Sequence, residues 1–143
     1  MSESYAKDCR SSVIPSARYR DAHAAIAWLE QALGFTRQAV YDGPNGTVAH
    51  AQLTFGNGMI MLGSATNEGV HAPLMAQPDE IGRRVTSGFC LIVTDAAAIY
   101  ARAKAANAEM VMELAEMDYG GKAFSCRDPE GFVWSIGEYD PWE

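Results

Sequence analysis

The segment Asp128-Pro-Glu-Gly-Phe-Val-Trp-Ser-Ile-Gly137 is a tight turn followed by an alternating apolar run. Asp, Pro and Gly in close succession interrupt regular structure. Phe132, Trp134 and Ile136 then recur at every second residue, the period of a strand with one apolar face. The same pattern stands earlier in the chain. Gly56-Asn57-Gly58 makes a hairpin turn, and Gly58-Met-Ile-Met-Leu-Gly63 is its return strand.

Working outward from each hairpin gives the same order of elements. Before Gly63 come strands over Thr47 to Phe55 and Phe35 to Tyr41, divided by the turn Asp42-Gly43-Pro44-Asn45-Gly46. A helix over His23 to Leu33 precedes them, with Ala22, Ala25, Ile26, Leu29 and Leu33 at helical spacing. Asp21 caps it and Gly34 closes it. A strand from about Ser11 to Arg18 opens this half. Before Gly131 come strands over Lys122 to Cys126 and Glu109 to Met117, divided by the turn Asp118-Tyr119-Gly120-Gly121. A helix over Ala96 to Ala106, capped by Asp95, and a strand over Ser87 to Thr94 precede these. The last strand runs from Phe132 to Tyr139.

Strand–helix–strand–strand–strand therefore occurs twice. Tyr19-Arg20-Asp21-Ala22 before the first helix parallels Val93-Thr94-Asp95-Ala96 before the second. A repeat of this kind decides the fold class: α+β, a single domain of two βαβββ modules over residues 11–63 and 85–139. Their sheets are expected side by side as a curved mixed sheet, each with a helix on its outer face, the inner faces lining a central cleft. Residues 64–84, with Gly69, Pro73, Pro78 and Gly82, read as a long connecting loop, a kind of segment that is more often functional or mobile than structural.

Composition narrows the function classes. The chain has 143 residues, 48 % hydrophobic and 20 % charged, the mix of an ordered globular protein. Its longest apolar run, Ala24 to Leu29, is far short of the roughly 20 residues of a membrane span. Met1 to Ser12 is polar, so no secretory leader is expected. The net charge is −7, and the excess lies from Glu109 onward, where the bases are Lys122 and Arg127. That field repels nucleic acid and mildly attracts a cationic small molecule. Cys9, Cys90 and Cys126 are an odd set without a CxxC, so neither a disulfide framework nor a zinc knuckle is expected. Cys90 and Cys126 read as buried small hydrophobes, and a reducing cytoplasm is the expected location.

The repeat and its hairpins resemble the vicinal oxygen chelate superfamily of glyoxalase I, extradiol dioxygenases and bleomycin-resistance proteins, from about Val13 to Tyr139. Asp128 to Gly137, followed by Tyr139-Asp140-Pro141-Trp142, is similar to the D-P-E-G-H-x-W-S-x-G-T-Y ending of the bleomycin-resistance-like subgroup that includes PhnB-like proteins. His50-Ala-Gln-Leu-Thr-Phe-Gly-Asn-Gly-Met-Ile-Met-Leu-Gly63 is similar to that subgroup's H-A-E-L-x-x-G-x-G-x-I-M-L-G. Phe132 departs from a histidine and Gln52 from a glutamate.

The resemblance implies a homodimer, and in its enzymes a divalent metal held by His, Gln or Glu at four strand positions. Carried over by position, these are Ile14, Met61 or Leu62, Gly88 and Ser135. None offers an imidazole or a carboxylate. No metal, cofactor or catalytic residue is therefore assigned, and metal-independent binding of a small molecule in the cleft is the expected function. The candidate ligand-binding residues are Arg18, His50, Gln52, Met112, Glu138 and Tyr139. Ile14, Ser16 and Arg18 share one face of the first strand, and an arginine in a cleft favours an anionic group. Glu138 at the cleft mouth favours a cationic one, and the sequence leaves both open. His50 and Gln52 share a strand face. Met110, Met112 and Leu114 alternate on one face of another strand, an adaptable apolar surface. The alternative is a glyoxalase-like lyase with a displaced metal site built from His50 with Glu138 or Glu113.

Overall fold

The computed structural model describes Asp8 and residues 10–143. Cys9 and most of the polar Met1–Ser12 stretch lie outside these residues. The elements follow in the order β1 (Ser16–Tyr19), α1 (Ala22–Trp28, continued by a π-helical turn Leu29–Leu33), β2 (Thr36–Asp42), β3 (Val48–Phe55) and β4 (Gly58–Ser64). The second half is β5 (Phe89–Ile92), α2 (Ala96–Ala105), β6 (Glu109–Glu116), β7 (Lys122–Arg127) and β8 (Val133–Gly137). There are two four-stranded mixed sheets, ordered β1-β4-β3-β2 and β5-β8-β7-β6. In each, the first strand lies parallel to the last and the other pairs are antiparallel. The α+β fold of two like modules is therefore present.

Local chemistry sets the boundaries. The Asp21 carboxylate accepts from Ala24 N at 3.0 Å and that of Asp95 from Ala98 N at 3.2 Å, capping both helices. Gly34 ends the first helical stretch at φ +86°, and Asn107 takes the matching left-handed position after α2 at φ +60°. Regular pairing of β1 starts at Ser16 rather than Ser11. Pro15 has no N–H to continue a ladder, although its carbonyl still accepts from Met61 N at 3.0 Å.

One core serves both modules. Ile26, Leu29, Leu33 and Leu53 of the first and Phe124, Trp134 and Ile136 of the second are fully buried together. The two helices touch. The Arg102 guanidinium, from α2, donates to the carbonyls of Gln31 at 3.2 Å and Glu30 at 2.9 Å. Helix-bearing faces thus pool their apolar side chains, while the opposite, open faces carry Ser16, Arg18 and Gln52 on one sheet and Cys90, Ser135 and Met112 on the other.

The turn at Asp128 joins the halves. Buried Asp128 accepts from Tyr19 Oη at 2.6 Å and Trp134 Nε1 at 3.0 Å through one oxygen. It accepts from the amides of Phe132 and Glu130, at 3.0 and 3.1 Å, through the other. The Glu130 carboxylate takes the amides of Arg20 at 2.7 Å and Asp21 at 2.9 Å. A turn in module two therefore clasps the start of α1 in module one.

Two expectations need correction. Met110, Met112 and Leu114 do not share a face. Met110 pairs with buried Cys126, but the register shifts by one residue and Met112 pairs with Ser125, pointing outward. Val111 is the extra residue of this bulge. Cys90 is exposed rather than buried, because β5 is a four-residue edge strand and Cys90 lies on its open face.

The connecting segment is not a free loop in its second half. Gln77 Nε2 donates to Arg18 O at 2.7 Å, Asp79 receives both Nε and Nη2 of Arg20 at 3.0 and 2.7 Å, and Arg83 pairs with Glu109 at 2.8 Å. Among the described residues, no helix is long and apolar enough to cross a membrane.

Candidate functional site

The open face of the first sheet collects three of the six candidate residues. Arg18 stands opposite Gly63 on β4, and His50 opposite Tyr41 on β2. Arg18 and His50 border one shallow hollow of about 280 Å³, together with Ser16, Met61, Gly63 and Thr66. Gly63 keeps its floor low. A Cβ there would stand 3.1 Å from Ala49 O, so a side chain at this position would crowd the neighbouring strand.

His50 is held in place. Its Nε2 lies 2.9 Å from Gln52 Oε1, and Gln52 Nε2 donates to Gln38 Oε1 at 2.5 Å. The hydrogen bond to Gln52 orients the ring and turns Nδ1 away from that partner. The Tyr41 ring stacks on the imidazole, centroids 6.2 Å apart and planes 24° from parallel. Arg18 differs from its neighbours. Its guanidinium has no hydrogen-bond or ion-pair partner among the described residues, whereas Arg20, Arg37 and Arg83 each meet a carboxylate.

The other three candidates lie on module two and line none of the cavities described. Met112 faces outward opposite Ser125. Tyr139 is 54 % exposed and meets Tyr119 edge to face at 5.4 Å. Glu138 is not a free acid at a cleft mouth. Its two oxygens accept from Ala96 N and Lys122 N, each at 2.9 Å, and these bonds hold the carboxyl below the usual glutamate range. It fastens the first turn of α2 to β7.

Neither the four positions that the resemblance implies nor the displaced set brings metal donors together. Met61, not buried Leu62, faces the open side, opposite Ser16. Ile14 lies in a separate hollow with Thr54 and Met59, Gly88 has no side chain, and Ser135 pairs with Cys90. These donors do not fit a divalent cation. The alternative of His50 with Glu138 or Glu113 fails on placement. Glu138 is bound to backbone, and Glu113 pairs with Lys104 at 3.0 Å and with the Tyr100 hydroxyl. Among the described residues, no three of His, Cys, Asp and Glu converge as metal ligands.

A second, apolar cleft lies at the seam between the modules. It measures about 330 Å³ and is walled by Phe35, Phe55 and Ile60 on one side and Phe89, Leu91 and Trp134 on the other. Val13 and Pro15 reach this cleft, while Ile14, Ser16 and Arg18 point to the open face. The alternation predicted for this stretch is present, but Val13 and Pro15 border the seam cleft, Ile14 one hollow of the open face, and Ser16 and Arg18 another. Sequence reasoning placed Trp134 on an apolar strand face and assigned Phe35, Phe55 and Phe89 no role. The available signal was the placement of Phe35 and Phe55 beside turns, at the ends of strands rather than along an apolar face.

Residues 14–136 match the model of the Glyoxalase/Bleomycin resistance protein/Dioxygenase superfamily. The chain belongs to this superfamily. TioX from Micromonospora sp. ML1 is 25 % identical, with a TM-score of 0.68, over 91 % of this chain and 99 % of that one. A glyoxylase/bleomycin resistance protein/dioxygenase domain from Frankia sp. EAN1pec is 20 % identical, with a TM-score of 0.67, over 89 % and 90 %. A mutant of the fosfomycin resistance protein FosX from Listeria monocytogenes, complexed with Mn(II) and 1S,2S-dihydroxypropylphosphonic acid, is 12 % identical, with a TM-score of 0.65, over 90 % and 89 %. No curated protein matches the chain.

Proposed function

We propose that this superfamily member is a metal-independent small-molecule-binding protein, acting as a cytoplasmic homodimer. The observation that supports the reading is the chemistry of four positions. Carried over by resemblance, Ile14, Met61, Gly88 and Ser135 take the places of the superfamily enzymes' metal ligands, and they supply no imidazole and no carboxylate. What remains on that face is a binding surface. The unpaired Arg18 and the His50 imidazole supply polar recognition, Gln52 orients the ring, and Met61 supplies adaptable apolar contact.

The homodimer reading rests on what a single chain leaves uncovered. Ile14, Ile92, Val111 and Met112 are exposed. A second copy that lays the open face of its second sheet, with Met112 and Tyr139, over Arg18 and His50 would bury these side chains and enclose the hollow.

Metal content is the deciding measurement. Protein purified without chelator and incubated with nickel, zinc or manganese is expected to retain none after gel filtration. Near-stoichiometric metal per subunit would return the chain to the enzymes of its superfamily, and hemithioacetal substrates would then be assayed.

A further inference from the structure

We propose a second binding site, beneath the connecting segment, for an amphipathic anion: an apolar acyl or aryl body ending in a carboxylate. A cavity of about 530 Å³ lies between β1, the start of β5 and the connecting segment. Met75, Ile81, Phe89 and Phe132 give it apolar walls, and Arg18 and Arg84 border it. It is larger than the seam cleft, which it adjoins at Pro15, Gly88 and Phe89, and it meets the hollow at His50 along Ser16, Ala17 and Arg18.

The two arginines carry the argument. The Arg18 guanidinium has no partner among the described residues, and that of Arg84 has one long bond, from Nε to Ile81 O at 3.3 Å. Arg20, Arg37, Arg83 and Arg127 pair with carboxylates, and Arg102 is held by two backbone carbonyls. In a chain of net charge −7, acids are plentiful, yet among the described residues none meets either of these two guanidiniums. Two uncompensated cations on one cavity attract an anion, and a guanidinium binds a carboxylate through two parallel hydrogen bonds.

The walls decide the remainder of the ligand. A small hydrated anion would leave the Phe89 and Phe132 rings against water. An apolar body covers them, and it also covers Leu74 and Met75, which are 79 % and 43 % exposed at the mouth. The outer wall is already fixed. Gln77 is bonded to Arg18 O and to Glu80, Asp79 to Arg20, and Arg83 to Glu109, so little ordering is needed on binding.

Arg18 borders both this cavity and the hollow at His50, so the test uses residues that border one alone. Octanoate and 1-octanol are titrated calorimetrically into the full chain and into Arg84→Ala, Arg84→Lys, Met75→Trp and His50→Ala. Octanoate is expected to bind once per chain, and 1-octanol about tenfold or more weakly, because it lacks the charge-assisted bonds. Arg84→Ala should weaken octanoate about tenfold and leave 1-octanol unchanged, with Arg84→Lys intermediate. Met75→Trp, which fills the cavity, should weaken both, and His50→Ala should alter neither. Absence of octanoate binding, equal binding of the two probes, or full affinity in Arg84→Ala would overturn the proposal. Loss of octanoate in His50→Ala would overturn it too, by moving the anion to the open face and leaving the function proposed above standing.

Discussion

Asp128 is the residue on which most depends. Four donors converge on one buried carboxylate, two of them side chains from different modules. Burial pushes its pKa above the ordinary aspartate value, and the hydrogen bonds oppose that shift. Burial also pushes Tyr19 upward, so the phenol stays protonated and donates. Asp128→Asn turns one acceptor into an NH2 group facing donors, and leaves buried groups unsatisfied. It is expected to cost about 3 kcal/mol in urea denaturation. Tyr19→Phe removes a single donor and should cost about half as much. Equal stability of Asp128→Asn and the parent would mean that the clasp contributes nothing. Cys126 illustrates the same burial without a partner: its thiol is pushed up to about 12 and is inert.

Among the elements, α2 depends on an acid from another strand. Glu138 accepts the Ala96 and Lys122 amides, and its pKa is lowered as a result. A carboxyl depressed in the folded state contributes stability above its unfolded pKa, about 4.3 for glutamate, and loses it as pH falls through the folded value. Glu138→Gln should therefore be less stable than the parent at neutral pH, with the gap closing on acidification below pH ~4. Melting curves across that range check it, and a gap that does not change with pH would remove the linkage.

The elements themselves were legible in the sequence, because helical spacing, Asp caps and Gly-rich turns are local signals. The surroundings of three residues were not, each for a physical reason. Strand alternation put Met112 beside Met110, and one inserted residue in β6 turns it outward. Glu138 could be seen to end a strand, but not that a helix amide 42 residues away returns to it. Cys90 sits in an apolar run, and its exposure follows from β5 being an edge, which only the sheet order reveals.

The whole molecule leaves two open sheet faces, which the proposed homodimer would cover. If these faces meet between copies, a charge on either should keep the subunits apart without unfolding them. Met112→Arg is expected to sediment as a folded monomer at micromolar concentration while the parent sediments as a dimer. Met110→Arg, aimed into the core, should instead unfold the chain. A parent chain that is monomeric throughout would sink the shared-cleft arrangement.

The clasp at the Asp128 turn has a consequence for the chain during its synthesis. Tyr19 and Asp128 stand 109 positions apart, and Arg20 and Glu130 stand 110 apart. Contacts so remote close late, since the intervening polymer must first be gathered in at an entropic cost. A ribosome delivers the first sheet and its helix long before the turn that holds them. Until then the Arg20 and Asp21 amides are served by water, and the Tyr19 hydroxyl waits without its acceptor. The nascent amino-terminal half is thus an unfinished body. Its maturation waits on the arrival of the Asp128 turn, and a polypeptide stalled before that turn would expose apolar surface that quality-control machinery reads as incomplete.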